Sequence, residues 1–117
     1  MSDCIFCKII NKEVSSEIID ENEHVIVIED IRPKAPIHYL IIPKIHIQDI
    51  NHLDDSQEHY ESIKEMFKMV RKVAKNLPEP KAFNLISNNG VQAGQAVFHM
   101  HWHLISGKNI YSSELKL

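Results

Sequence analysis

Gly94-Gln95-Ala96-Val97-Phe98-His99-Met100-His101-Trp102-His103-Leu104-Ile105 holds three of the chain's eight histidines within five residues. Imidazoles alternate there with apolar side chains, the period of a strand that is polar on one face and buried on the other. Read as a strand over 96–105, the segment puts His99, His101 and His103 on one face, about 6.7 Å apart per step. Phe98, Met100, Trp102 and Leu104 then face a core. A slip of one residue would bury three imidazoles, so the register is firmly specified. One histidine would be read as a solvated surface residue. Three in register opposite an apolar face point instead to a metal site or to nucleophilic catalysis at phosphorus, and spacing alone leaves both open. The preceding Asn88-Asn89-Gly90-Val91-Gln92-Ala93-Gly94-Gln95 holds turn formers and amides but no carboxylate. That composition suits phosphate better than a catalytic divalent metal. Gly94 allows close backbone approach to a ligand, and Asn88 and Gln95 can bond phosphate or ribose oxygens.

Outward from this strand, the sequence alternates short β-type runs with one long helical pattern. Ile5 to Asn11 suits a short amphipathic helix. His24-Val25-Ile26-Val27-Ile28 is a β-branched run, and His38-Tyr39-Leu40-Ile41-Ile42 is another, stopped by Pro43. Between them Pro33 and Pro36 remove backbone donors, which makes 30–37 a loop. Tyr60, Ile63, Phe67, Val70, Ala74 and Leu77 recur at three- and four-residue steps and predict a long helix. Asp55 or Ser56 can cap it, with Glu58 placed for a capping box from Asp55, and Pro78 closes it. Residues 82–87 read as a strand leading into the Asn-Asn-Gly turn. Strands around one long helix, joined by short loops, predict an α+β domain on a mainly antiparallel sheet.

A length of 117 residues fits one domain, 1–117, able to bury roughly two-thirds of its unfolded surface. A net charge of −3 offers no basic excess for nucleic acid or an anionic membrane, and no apolar run approaches a membrane span. The N-terminus shows no secretory leader pattern. Two cysteines three apart make no disulfide framework, which suggests a reducing, cytoplasmic setting. Lys64, Lys68, Arg71, Lys72 and Lys75 read as the wet face of the helix, and His24, His52 and His59 as solvated surface residues.

The histidine strand resembles the signature of the histidine-triad (HIT) family, H-φ-H-φ-H-φ-φ after G-Q-x-V. Asp30-Ile31-Arg32-Pro33-Lys34-Ala35-Pro36-Ile37-His38 is similar to the family's D-I-x-P-x-A-P-x-H segment, and Leu40-Ile41-Ile42-Pro43-Lys44-Ile45-His46 to its L-x-I-P-K-x-H. Cys4-Ile5-Phe6-Cys7 resembles the N-terminus of bacterial members, and the Ser106-Gly107-Lys108 exit looks like the Hint branch rather than the dinucleoside-polyphosphate branch. The resemblance implies a HIT-like fold, a five-stranded sheet with one long and one short N-terminal helix, its sheets joined across a homodimer. It also implies hydrolysis of purine nucleoside 5′-phosphoramidates through a nucleotidyl-histidine. His101 would be the nucleophile and His103 the proton donor to the leaving group, with His38 and His99 in the supporting relay. Asp30 falls at the ribose position and Asn88, Gly94 and Gln95 at phosphate and ribose contacts. Phe6, Ile9, Ile31 and Val97 fall on the walls of the nucleotide pocket. This scheme needs no catalytic cofactor. Ala96 stands where several Hint proteins carry a hydroxyl, and the chain after Gly107 lacks a tryptophan that some relatives place near a pocket, which leaves the leaving group open.

Cys4-x-x-Cys7 begins too near the N-terminus to follow the strand that a thioredoxin-like motif requires. By itself it is either a pair of plain buried thiols or half of a Cys2His2 zinc site. By resemblance to bacterial members the other ligands are His46 and His99, giving a structural Zn2+. Two further enzyme readings remain beside the phosphoramidase: a dinucleoside polyphosphate hydrolase or nucleotidyl transferase, and a zinc hydrolase on the histidine row. A nucleotide-binding regulatory module with vestigial turnover is the non-enzymatic reading.

Overall fold

In the computed structural model, which describes residues 3–111, five antiparallel strands form one sheet in the order β1-β2-β3-β5-β4. The strands are β1 (Ile18–Glu21), β2 (Val25–Glu29), β3 (Ile37–Pro43), β4 (Phe83–Ser87) and β5 (Trp102–Ser106). A short helix α1 (Ile5–Ile10) covers one face of the sheet, and a long helix α2 (Gln57–Ala74) covers the other. The alternation along β2 shows the division. Val25 and Val27 join Met66, Met69, Val70 and Val73 under α2, whereas Ile26 and Ile28 join Phe6 and Ile9 under α1. β2 is therefore apolar on both faces, as a central strand covered by two layers must be. Along β3, Leu40 and Ile42 face α1 and Ile41 faces α2.

The antiparallel α+β prediction holds, and so do the short and long helices. β1 escaped the reading of the residues. It is an edge strand, half exposed, half acidic and irregular in register near Asp20, so it carries no alternation to detect. Helix α2 is capped by Ser56, whose hydroxyl accepts the His59 amide N–H at 3.2 Å; Asp55 instead accepts from the Tyr60 hydroxyl at 2.7 Å. The helix ends at Ala74, before the turn that leads to Pro78. Its buried stripe is rotated from the expected one: Ser62, Met66, Met69, Val70 and Val73 go inward, while Tyr60 and Phe67 remain more than half exposed. The lysine and arginine face is wet as predicted.

The last strand is shorter than expected. Regular pairing covers only Trp102–Ser106; 97–99 bend, and 100 and 101 carry no regular structure. Pro43, at the end of β3, has no N–H with which to continue the ladder, and the Met100 N–H bonds instead to the Ile47 carbonyl at 2.6 Å. Met100, Trp102 and Leu104 do enter the core, but Phe98 is 45% exposed. Of the three histidines read as solvated, only His52 is exposed; His24 and His59 are half-buried, the His59 ring accepting the Asp54 N–H at 3.0 Å. The expectations about the chain after Gly107 and about an N-terminal leader rest partly on residues 112–117 and on 1 and 2, outside the described residues.

Candidate active site

β3 and β5 pair so that Leu40 lies opposite His103 and His38 opposite Ile105. Direct partners share a face, so His38 and His103 both stand on the α1 side of the sheet. There a cavity of about 550 Å³ opens between α1, the strands and the loop after β2. That volume is within the usual range for small-molecule sites. Phe6 and Ile9 of α1, Ile28 and Leu40 of the sheet, and Val97 build an apolar basin, and His101 and His103 form its reactive wall. Asp30 and Ile31 stand on the loop side and Gly94 on the other.

The hydrogen bonds assign the imidazole tautomers. The Lys34 backbone N–H donates to Nδ1 of His38 at 3.1 Å, so the His38 proton resides on Nε2. That Nε2–H donates to Nδ1 of His103 at 2.9 Å, which places the His103 proton on its own Nε2. Asp30 Oδ2 stands 3.4 Å from the same His38 nitrogen as a second, longer acceptor. In His101, Nδ1–H donates to the His99 carbonyl at 2.8 Å and leaves a lone pair on Nε2. Neighbouring rings, their centroids 5.1 Å apart, thus offer a nucleophilic nitrogen on one and an N–H donor on the other. Burial pushes His38 and His101 below the usual histidine value of 6.5 and His103 down to about 4, so all three are neutral at pH 7. Like-charge repulsion from His101 and His38 adds to the fall at His103.

His99 stands on the same α1 side but does not line the cavity. Its ring is fully buried, and Nε2–H donates to the Pro43 carbonyl at 2.7 Å. The lone pair on Nδ1 therefore faces Sγ of Cys4 at 3.4 Å and Sγ of Cys7 at 3.6 Å. His46 Nδ1 lies 3.4 Å from the Cys7 sulfur. These four donor atoms all lie within 4.8 Å of one another and could hold a metal ion. The donor set, two sulfurs and two imidazoles with one tautomer already fixed, is that of a structural tetrahedral site. Burial and the adjacent Cys4 thiol push Cys7 up to about 11. A bound cation would reverse that and release the proton.

The predicted residues thus divide into three places. Phe6, Ile9, Asp30, Ile31, Gly94, Val97, His101 and His103 line the cavity, and His38 stands behind His103. Cys4, Cys7, His46 and His99 form the separate cluster. Asn88 and Gln95 do not line the cavity. Gln95 is buried, receiving the Gly90 N–H and donating to the Gln48 and Val97 carbonyls, and Asn88 donates to the Ala93 carbonyl. Both hold the turn in which Gly94 adopts φ +92°. Leu40 and Ile28 were not anticipated as cavity residues; their positions follow from the β2–β3–β5 register, which no local motif announces.

The HIT domain family matches residues 11–110, nearly the whole described chain. The chain belongs to the HIT domain family. A HIT family hydrolase from Clostridium thermocellum superposes with a TM-score of 0.88 at 43% identity, covering 98% of this chain and 99% of that one. Protein hit of Bacillus subtilis is 41% identical over 105 residues, which span 87% of this chain and 69% of that protein. Protein HitA of Neisseria gonorrhoeae is 36% identical across 90% of this chain and 96% of its own. The three HIT histidines of this chain share the α1 side of the sheet but serve two places. His101 and His103 face the cavity, and His99 faces the cysteines.

Proposed function

We propose that this HIT protein is a hydrolase of purine nucleoside 5′-phosphoramidates, acting through a nucleotidyl group carried on His101. The observation that carries the reading is the pair of opposite tautomers on one cavity wall: a lone pair on His101 Nε2 beside an N–H on His103 Nε2. The nucleoside base lies in the basin of Phe6, Ile9, Leu40 and Val97. The ribose hydroxyls meet Asp30, and the phosphate lies near Gly94. Asn88 and Gln95 contribute by holding the Gly94 turn. His101 Nε2 attacks phosphorus, and the Nε2–H of His103 passes to the leaving nitrogen as the P–N bond breaks. Water then attacks the same phosphorus. It returns a proton to His103 and gives its hydroxyl to the nucleotide, while the P–Nε2 electrons return to His101. These steps use imidazoles alone. The HIT family hydrolases among its structural neighbours support the hydrolase class.

A structural zinc ion belongs to this reading, held by Cys4, Cys7, His46 and His99, where it would tie the N-terminus to the sheet. A homodimer and a cytoplasmic location belong to it as well. Phe83 and Leu85 on edge strand β4, with Phe67 and Tyr60 on α2, leave an apolar surface exposed beside a strand edge that is unpaired among the described residues, which pairing with a second copy would cover.

The test is AMP release from adenosine 5′-phosphoramidate by protein treated with chelator and still folded by circular dichroism. Turnover by the natural chain and none by His101→Ala, which should keep most of its AMP affinity, is the expected result. Retained turnover in His101→Ala removes it as nucleophile.

A further inference from the structure

His99 takes part in two arrangements at once. Its ring faces the two cysteine sulfurs, and its backbone carbonyl accepts the Nδ1–H that leaves the reactive lone pair of His101 on Nε2. The ring is held at both ends, by the sulfurs at Nδ1 and by the Pro43 carbonyl at Nε2. The peptide that carries the acceptor oxygen sits in the irregular 97–101 segment, held not by a strand ladder but by one backbone bond, from the Met100 N–H to the Ile47 carbonyl at 2.6 Å. Phe6 forms a second link. It lies between Cys4 and Cys7 in sequence, and its ring meets His99 and His101 edge-on, with centroids 5.9 and 5.0 Å away. Cys4 also caps α1 through its sulfur.

We propose that the Cys4–Cys7–His46–His99 cluster is a positioning device for the nucleophile: a thiophilic divalent cation bound there fixes the His99 peptide, and its carbonyl keeps His101 in the Nδ1–H tautomer. The inference rests on the nucleotidyl-His101 reading. Without that acceptor, a free imidazole favours the Nε2–H form, whose Nε2 has no lone pair to offer phosphorus. The cluster thereby sets the fraction of molecules ready to react. His99, Cys4 and Cys7 are positioning residues on this account, since none of them touches substrate.

Two readouts separate the inference from the reading on which it rests. Zinc-loaded protein and chelator-stripped protein, both folded by circular dichroism, are compared by 15N NMR of the His101 ring and by steady-state kinetics on adenosine 5′-phosphoramidate. In the loaded protein His101 should show a protonated Nδ1 and an unprotonated Nε2. Stripping should shift Nε2 toward the protonated signature and lower kcat by roughly tenfold or more, the scale seen when the supports of a site are removed. Reloading zinc should restore both. His46→Asn, which alters the exposed ligand of the four, should show the stripped behaviour in milder form. A stripped, folded protein with an unchanged His101 tautomer and kcat within about twofold overturns the inference while leaving the nucleophile assignment intact. Unfolding on stripping and in His46→Asn also overturns it, because the cluster would then serve stability rather than the nucleophile. Absence of turnover in loaded protein whose tautomers respond to zinc as described counts against the phosphoramidase reading alone.

Discussion

At the scale of single residues, chemistry here depends on which nitrogen of each imidazole carries hydrogen. The Lys34 amide starts a chain of donors through His38 to His103, and the His99 carbonyl sets His101 in the opposite sense. Burial keeps these rings neutral, with His101 below the ordinary 6.5 and His103 at about 4. Protonating His101 removes the nucleophile, so the acid limb of the rate on a phosphoramidate should lie below pH 6.5. An acid limb centred above that value would mean His101 is not held neutral by its surroundings. Stability follows the same sign. His103 binds a proton less readily folded than unfolded, so its contribution is present above 6.5 and is lost as pH falls from there toward 4.

At the scale of elements, the strand spacing made the histidine segment legible, and the resemblance supplied the roles. Trp102, His103 and Leu104 alternate as expected because they lie in β5. His99 keeps to the α1 side as well, with Met100 in the opposite core, but spacing does not foretell its partners: pairing stops at Trp102 and the ring meets Pro43 and the cysteines, 56 and more residues distant. Such contacts leave no periodic trace in sequence. The same holds for the carboxylate. The segment before the histidines contains none, yet Asp30 reaches His38 across the sheet. In α2, Met66 and Met69 fill the core while the aromatic residues of the expected stripe, Tyr60 and Phe67, stay outside, a choice made by the sheet rather than by helix period. The loop of 30–37 that carries Asp30 is braced by the exit of β5. Gly107 has φ +99°, and a Cβ there would come within 3.0 Å of Pro36. Gly107→Ala should therefore lower stability by about 1 kcal/mol or more, read as a drop in Tm. An unchanged Tm would mean that the 30–37 loop yields freely.

At the scale of the whole molecule, α1 with its cluster and α2 with its apolar core lie on opposite faces, so the cavity and the exposed aromatic surface are separate features. The Trp102 ring meets Phe67 at a centroid distance of 4.8 Å, and Leu85 pairs with Leu104, which places the exposed part of α2 and edge strand β4 side by side. If a second copy covers this surface, Leu85→Lys should convert a two-chain species to a one-chain species by sedimentation, with circular dichroism unchanged. A natural chain already sedimenting as a single copy would refute the dimer. The edge is visible only once the sheet order is known; from sequence, residues 82–87 are simply another short strand.

The central claim is the covalent nucleotidyl-His101. It is tested most directly by mixing protein with excess adenosine 5′-phosphoramidate, quenching rapidly in alkali, where a phosphorylated imidazole survives, and mapping peptides by mass spectrometry. An AMP adduct on His101, absent from His101→Ala and unaffected by His52→Ala, is the predicted result. Turnover with no adduct at any time point, or an adduct on His103, would contradict the account.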